Sequence, residues 1–412
     1  MREKIISGLD IGSTMIRLAV GQVMTDGTLR IIGGVEVPSE GVVKGTINSI
    51  EDTVSSISRC LEKTERMIGL SIRDVFVGIN GTHIISQDSK GVIAVAKADG
   101  EIKEEDVERS LEAAQTVATP TNYEILHVIP RSFIVDNQSG IKDPVGMMGV
   151  RLEVEAQIIE GLSSQIKNLT KCVYRAGLGI DDLVFAPLAV AEAVLDKHKK
   201  ELGVAVLNLG GATTSFAVFE EGDFLTAKVL PIGSAHITSD IAIGIRSSID
   251  LAERIKLQFG TCLPSQIGKR EEINLAELEE NEEGKVSHYH IAEIIEARVE
   301  EIFKTVDKEL QKIGRSGKLP AGIVLTGGGA KLPGLVEVAK RIFRLPASLG
   351  VLRLAPSPTD KINDPSFSTV CGLVIWGGQL EKPKRLSRFF SAFPTIGSLS
   401  GKLKKWLRNL MS

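Results

Sequence analysis

Leu9-Asp10-Ile11-Gly12-Ser13-Thr14, followed by an apolar run from Ile16 to Val20, returns in outline in the second half of the chain. There it reads Leu207-Asn208-Leu209-Gly210-Gly211-Ala212-Thr213-Thr214, followed by Phe216 to Phe219. Each copy reads as strand, tight turn, strand. A Gly/Ser/Thr turn of this kind points consecutive backbone N–H groups into one concavity with hydroxyls beside them, and such a nest binds phosphate oxygens. One copy alone would be an ordinary hairpin turn. Two copies predict two similar halves gripping one polyphosphate from opposite sides.

The chain is 412 residues long, too long for one ordinary core, so roughly two to four domains or subdomains are expected. It is 43% apolar and 25% charged, with 41 glycines, the composition of a soluble globular protein. A net charge of −3 argues against a general nucleic-acid partner. Cys60, Cys172, Cys262 and Cys371 are widely spaced, which suggests buried thiols in a reducing cytoplasm and neither a disulfide frame nor a zinc site. The sequence enters a strand almost at once, without a signal peptide or a run of about 18 apolar residues, so no membrane span is expected. After Glu381 come eight basic and no acidic side chains: Lys382, Lys384, Arg385, Arg388, Lys402, Lys404, Lys405 and Arg408. The rest of the chain therefore carries −11.

Residues 5–37 alternate apolar and polar with glycine turns, a β-meander. Ile50, Val54, Ile57, Leu61 and Ile68 predict a helix over 49–68, and Val75 to Ile79 a buried strand. Residues 81–160 form a distinct α+β module, with strands at 83–96, 125–135 and 151–159. Its helix, 103–118, starts with Glu104, Glu105 and Asp106, where carboxylates suit the helix dipole. A helix over 163–177 and a strand over 180–185 lead to Pro187–Leu195, a small-residue helix able to pack closely. Helices are expected over 238–259, 289–313, 335–343 and 366–380. The polar run between Glu271 and Glu283 holds seven glutamates and reads as a solvated loop or a short strand pair. Residues 381–398, with Pro383, Pro394 and Gly397, read as a linker.

Asp10, at a strand end just before its turn, is placed to hold Mg²⁺ through water, since Mg²⁺ keeps much of its hydration shell. Ser13 and Thr14 offer donors to a phosphate. A third glycine cluster, Thr326-Gly327-Gly328-Gly329-Ala330, follows a buried strand, where it lets backbone approach a flat ligand closely. The start of helix 335–343 beyond it suits phosphate or ribose. Glu253 and Lys256, one helical turn apart, can reach ribose hydroxyls and a base edge; they also make an ordinary i, i+3 surface pair.

The order Asp-Ile-Gly-Ser-Thr, small-residue helix, Gly-Gly-x-Thr-Thr, Thr-Gly-Gly-Gly resembles the actin-like ATPase superfamily. Within it, Gly78-Ile79-Asn80-Gly81-Thr82-His83-Ile84, Val324 to Ala330, Ile294 to Arg298 and Gly372 to Gly377 resemble the bacterial cell-division family FtsA over nearly the whole chain. The resemblance implies an α/β, actin-like two-lobed fold of duplicated ribonuclease-H-like domains, with an inserted α+β subdomain and a C-terminal amphipathic helix. The first actin-like domain then spans 1–80 and 163–200, interrupted by the insertion at 81–162. The second spans 201–380, with a small subdomain at about 260–313.

It further implies ATP and Mg²⁺ as ligands. Asp10, Gly12, Ser13, Thr14, Asn208, Gly210, Gly211, Thr213 and Thr214 would meet the phosphates; Glu253, Lys256, Gly327, Gly328 and Gly329 would meet the adenosine. Implied partners are other copies of the chain in an actin-like filament, the C-terminal peptide of the tubulin-like FtsZ at Arg298, and other division proteins through the insertion. The implied location is the cytoplasmic face of the inner membrane at midcell. Arg298 can equally pair with Glu301 or Glu296 on its own helix.

The chain departs from the family where chemistry would occur. The family's second hairpin reads Asp-Ile-Gly-Gly-Gly-Thr-Thr-Asp; here Asn208 replaces the first Asp, Ala212 the third Gly and Ser215 the final Asp. Related ATPases carry Glu or Gln just before the proline of the small-residue helix, positioning the attacking water; this chain has Ala186. Weak or absent hydrolysis is expected.

In the tail, Leu399, Leu403, Trp406, Leu407, Leu410 and Met411 recur at i, i+4, i+7, i+8, i+11 and i+12, one helical face. Lys402, Lys404, Lys405 and Arg408 flank it. This pattern describes a helix lying in a membrane interface, each basic residue adding about 1 kcal/mol near an anionic leaflet. A terminal helix docked on the body, or a calmodulin-target helix, shares the pattern. Phe389, Phe390 and Phe393 in the linker offer a second lipid contact or a sticky peptide. A small-molecule kinase of the superfamily would need a substrate pocket with a general base, and no Asp or His constellation stands out for it. A type IV pilus scaffold shares the inserted module but would lack the basic tail.

Overall fold

The structure, a computed structural model, describes residues 4–95, 100–116, 120–279, 284–353 and 360–380. The linker and tail readings at 381–398 and 399–412 lie outside the described residues.

The chain opens with a meander of β1 (Lys4–Ile11), β2 (Met15–Val23) and β3 (Leu29–Pro38), then a small hairpin of β4 (Val42–Val43) and β5 (Thr46–Ile47). Helix α1 (Ile50–Ile68) starts at Ser49, whose hydroxyl accepts from Asp52 N at 3.4 Å, and stops at Gly69 in the left-handed region. Only a residue without Cβ adopts that conformation freely. Strand β6 (Asp74–Ile79) follows. The insertion contributes β7 (Ile84–Ala94), α2 (Glu104–Gln115), β8 (Tyr123–Val135), β9 (Gln138–Ile141) and β10 (Arg151–Leu162), in sheet order β7-β10-β8-β9 with all pairings antiparallel. Helix α3 (Ser163–Arg175) and β11 (Gly179–Phe185) complete the first lobe, whose sheet order is β11-β6-β1-β2-β3. Strands β6 and β11 run parallel to β1.

Helices α4 (Ala186–Val194) and α5 (Lys197–Leu202) cross to the second lobe. A second meander follows: β12 (Val204–Leu209), β13 (Thr214–Glu220) and β14 (Asp223–Leu230). Then come α6 (Ser234–Ile245), α7 (Ile249–Phe259), the strand pair β15 (Glu272–Asn274) and β16 (Lys285–Ser287), α8 (His288–Lys312), β17 (Gly322–Thr326), α9 (Leu335–Phe343), β18 (Ala347–Leu349) and α10 (Ser368–Leu380). The second sheet, β14-β13-β12-β17-β18, has β17 parallel to β12 and β18 parallel to β17. An antiparallel meander extended by two parallel strands beside its first strand is the topology of the first lobe again. The duplication is thus in the backbone, with each glycine hairpin joining the first two strands of its sheet.

Two expectations need correction. The helix expected over 238–259 is two helices: Arg246 takes a left-handed φ of 56° and Ser248 caps α7 by accepting from Leu251 N at 3.1 Å. The last helix starts at Ser368, after a 3₁₀ turn at Pro365–Phe367.

The lobes share one seam. Small residues let α10 lie directly on α4: a Cβ at Gly372 would come within 1.9 Å of the Ala189 carbonyl oxygen. Arg353 ties the two crossings together, its N–H donating to Ala193 O at 2.9 Å and its guanidinium to Leu195 O at 2.6 Å. All four cysteines are buried and unpaired.

Candidate functional site

Both hairpins are closed by the same short bond. Gly12 N donates to Met15 O at 3.1 Å in the first, and Gly210 N to Thr213 O at 2.9 Å in the second. The fold brings them into contact. A Cβ at Gly211 would stand 2.0 Å from the Thr14 hydroxyl oxygen, so the two turns meet across the seam with the Thr14 side chain resting on the bare backbone of Gly211.

Their hydroxyls differ in what they have left to give. Ser13 Oγ accepts from Gly45 N at 2.9 Å, at the tip of the β4–β5 hairpin, and so keeps its proton to donate. Thr214 donates its proton to Ile232 O at 2.7 Å and has none for a ligand. Among the described residues the Thr213 hydroxyl has no protein partner, which makes it the side-chain donor of that turn. The second turn is also braced from behind by the start of α6: Ser234 N and Ala235 N donate to Gly210 O and Gly211 O at 2.9 and 2.8 Å. Those amides hold the hairpin carbonyls and are not open to an anion.

Asp10 and Asn208 occupy matching places at the ends of β1 and β12. Burial pushes the Asp10 carboxyl up to about 6, with Arg17, its cross-strand neighbour, pulling the other way. Arg17 itself is paired with Glu36 at 2.9 Å, so the carboxylate is short of positive charge. A hydrated Mg²⁺ would supply it, and the donor chemistry of this site fits that ion. Asn208 is held instead by its neighbours. Its amide nitrogen donates to Thr369 Oγ1 at 3.3 Å, and its oxygen would lie 2.3 Å from a Cβ at Gly327. Thr369, on α10, was not singled out in the sequence. It stands between the matching residues, since a Cβ at Gly78 would lie 3.6 Å from its methyl carbon and 3.7 Å from Asp10 Oδ1.

The triple glycine serves packing more than its sequence suggested. Gly327 has φ 88° and abuts Asn208, and a Cβ at Gly329 would press on the Leu209 side chain at 2.6 Å; only Gly328 has space above it, with nothing nearer than Ser366 at 3.9 Å. Lys331 beyond it pairs with Asp364 at 2.7 Å. Lys256 is buried and donates to Thr238 Oγ1 at 2.8 Å and to Glu253 Oε2 at 2.6 Å, while the Thr238 hydroxyl also bonds Glu253. The Glu253–Lys256 pair is therefore a triad between α6 and α7. The end of α7 runs onto the turn after the glycines, where Cys262 N donates to Pro333 O at 2.8 Å. Ala186 is buried at the first turn of α4, followed by Pro187.

Arg298 lies apart from the cleft, on α8. It forms a two-armed ion pair with Asp240 of α6, through Nη2 at 2.7 Å and through Nε, and donates from Nη1 to Glu301 at 2.7 Å. Its neighbour Glu296 pairs with Arg341. The Glu301 partnership is readable along the helix; Asp240, 58 residues away in sequence, is not.

Two meander-plus-parallel sheets joined at a glycine-lined seam define an actin-like, two-lobed protein with an inserted four-stranded module. Solved structures agree at the level of fold. The PilM-PilN type IV pilus biogenesis complex matches with a TM-score of 0.65 at 15% identity, covering 90% of this chain and 98% of that one. MreB5 of Spiroplasma citri bound to ADP matches with a TM-score of 0.54 at 14% identity, covering 92% and 97%. The family is set by sequence. The model of cell division protein FtsA matches residues 205–372, and that of the SHS2 domain inserted in FtsA matches 81–160. Cell division protein FtsA of Bacillus subtilis is 42% identical over 89% of this chain and 82% of its own length. That of Pseudomonas aeruginosa is 40% identical over 91% and 90%, and that of Neisseria meningitidis 36% over 99% and 99%. The chain belongs to the FtsA family of cell division proteins.

Proposed function

We propose that the chain binds ATP with Mg²⁺ in the seam between the two hairpins, assembles with its own copies into an actin-like filament on the inner membrane, and tethers the FtsZ ring there. The contact of Thr14 with Gly211 carries this reading. It brings two phosphate-type turns edge to edge, so that one polyphosphate lying along the seam would meet both, as a duplicated nucleotide clamp requires. Gly12, Ser13 and Thr14 from one side and Gly210, Gly211 and Thr213 from the other would meet the phosphates. Asp10 would hold hydrated Mg²⁺, which supplies charge neutralisation between phosphate oxygens. Gly328 and the Glu253–Lys256–Thr238 triad would meet the adenosine. With Asn208 in place of an acid, Ala186 in place of a water-positioning side chain and Thr214 already committed, the clamp holds nucleotide and hydrolyses it slowly or not at all.

The FtsZ peptide would approach Arg298. Glu301, with 58% of its side chain exposed against 24% for Asp240, is the carboxylate that an incoming acidic residue would displace. No described helix is long and apolar enough to cross a membrane, so membrane attachment rests on the basic amphipathic pattern at 399–412, and avidity along a filament would multiply a weak single hold.

One experiment tests the whole: incubate the protein with ATP and anionic liposomes and examine it by electron microscopy. Membrane-bound filaments are expected, with liposome pelleting lost on deletion of residues 399–412 or in Trp406→Glu. Undiminished pelleting of those variants refutes the anchor, and absence of filaments at any nucleotide state refutes assembly.

A further inference from the structure

A small chamber lies at the root of the insertion, lined by Ile11, Gly45, Ile47, Gly78, Ile79, Asn80, His83, Gln165 and Leu169, with about 10 Å³ of room for a water's centre. Four polar atoms reach this region without solvent contact and, among the described residues, without a protein partner: Asn80 Oδ1, both ring nitrogens of His83, and Gln165 Oε1. Folded chains seldom leave buried polar atoms unpaired, and to find four around one chamber calls for an occupant.

The residues come from three directions. Asn80 ends the approach from β6, His83 sits in the first turn of the insertion, and Gln165 lies in the first turn of α3, where the chain has just left the insertion. The lining is neutral. It holds two side-chain amides, an imidazole and no carboxylate, and burial keeps the His83 ring uncharged by pushing it down to about 4. A neutral imidazole has one donor and one acceptor nitrogen. An occupant that both gives and takes hydrogen bonds suits that set, and the space matches a single water, which typically makes about three such bonds.

The opposite wall belongs to the candidate nucleotide site. Ile11 follows Asp10 on β1, and Gly78 is the parallel partner of Asp10 on β6. Gly45 gives its N–H to Ser13 Oγ, while a Cβ on Gly45 would stand 2.9 Å from Gly81 Cα and 3.0 Å from Asn80 O. The tip at Gly45 is thus wedged between the first glycine hairpin and the point where the insertion begins.

We propose that this chamber is a site for one resident water molecule, and that the water, with the Gly45 tip, joins the root of the insertion to the hairpin at Ser13. A phosphate accepting the Ser13 proton strengthens the hydroxyl as an acceptor for Gly45 N–H, because linked hydrogen bonds polarise one another. The tip is then held more firmly, and with it the water and the backbone at 80–85. This second half rests on the nucleotide reading; the water site does not.

The test has two arms on the full chain. A crystal structure at a resolution that resolves ordered water should show one peak within hydrogen-bond reach of at least two of Asn80, His83 and Gln165. An empty chamber, or a peak at metal–ligand distances, overturns the site. In the second arm, amide hydrogen exchange at residues 80–85 is followed with and without Mg-ATP in the wild type, in Gln165→Met and in His83→Leu. Exchange in the wild type should slow at least threefold on nucleotide addition. The variants, which replace polar lining with apolar atoms, should lose that difference while nucleotide affinity moves less than twofold. Variants that keep the wild-type difference overturn the joining role. A wild type that binds no nucleotide overturns the nucleotide reading and with it the joining role, leaving the crystallographic arm to decide the water alone.

Discussion

The two glycine hairpins share a topology, a turn bond and a strand register, yet they are built for different work. The first ends its strand in a desolvated carboxylate, leaves the Ser13 proton free and is backed by the hairpin tip at Gly45. The second ends its strand in an amide pinned between Thr369 and Gly327, has spent the Thr214 proton on Ile232 and is braced by the start of α6. One half is chemically unfinished without a ligand, and the other is nearly finished by its own packing. On the proposed reading the duplicated backbone would supply a clamp, which the side chains would divide into a metal-facing jaw and a fixed jaw.

The comparison breaks most severely if the jaws cannot meet. Gly211→Val would drive a branched side chain into Thr14, whose Cβ would itself lie 3.2 Å from the first added carbon. Nucleotide affinity measured by fluorescent-analogue titration should fall on the order of 100-fold, equivalent to about 2.7 kcal/mol, and filaments should disappear with it. Affinity within threefold of wild type would show that the jaws do not share a ligand.

Asp10→Asn makes the first jaw resemble the second. Mg-ATP affinity should drop about tenfold, or roughly 1.4 kcal/mol, while affinity measured in EDTA stays near the wild-type value in EDTA. An equal loss in both conditions would assign Asp10 to packing and not to the metal. The reciprocal change, Asn208→Asp, tests whether the lost acid explains slow turnover. Phosphate release should rise only about threefold, under 1 kcal/mol of barrier, because Ala186 still offers nothing to orient water. A hundredfold gain would mean that Asn208 alone holds hydrolysis back.

Much of this asymmetry was legible in the residues and some of it was not. The turn chemistry of Gly12–Thr14 and Gly210–Thr213 is local, as is the apolar period that places α9 at Leu335–Phe343, so both could be read from the chain. The break between α6 and α7 was missed because apolar spacing runs on through it; the signal that marks it is Ser248 followed by Asp250 in the first turn of α7. Thr369 could not be found in this way. Its importance comes from α10 passing between strand ends that lie far away in sequence, and nothing in Ser368-Thr369-Val370 announces that. The same holds for Arg298, whose i+3 partner Glu301 follows from helix geometry, whereas Asp240 follows only from how α6 packs on α8. For Thr214, residue type suggested a phosphate donor, and the tertiary structure turned its proton to a carbonyl.

A control for Asp10 exists within the same lobe. Asp182 on β11 is also a desolvated carboxyl, pushed up to about 7 by burial, but it is supplied from within: Leu183 N donates to it at 2.9 Å and Trp376 Nε1 at 3.4 Å. Beside Trp376 stands His127, buried and pushed down to about 4, accepting from Phe185 N at 3.0 Å. Between an unfolded carboxyl value of 3.8 and about 7, the folded chain holds a proton on Asp182 that the unfolded chain has lost, so stability falls as pH rises through that window. His127 works in the opposite sense. Between about 4 and 6.5 the unfolded chain binds the extra proton, so stability falls as pH drops. Over roughly pH 4.5 to 6.5 the two slopes oppose each other, and only that of Asp182 remains above it. Asp182→Asn keeps the shape and removes the charge. Its melting temperature should exceed wild type at pH 8, by about 1–3 kcal/mol of stability, and the advantage should shrink steadily as pH falls toward 4, where the two converge, the variant losing stability through the window of His127 with nothing to offset it. Nucleotide affinity should not change. If Asp182→Asn weakened nucleotide binding as Asp10→Asn does, a raised carboxyl in this lobe would no longer mark the metal-facing jaw, and the distinction between the two hairpins would have to rest on their hydroxyls alone.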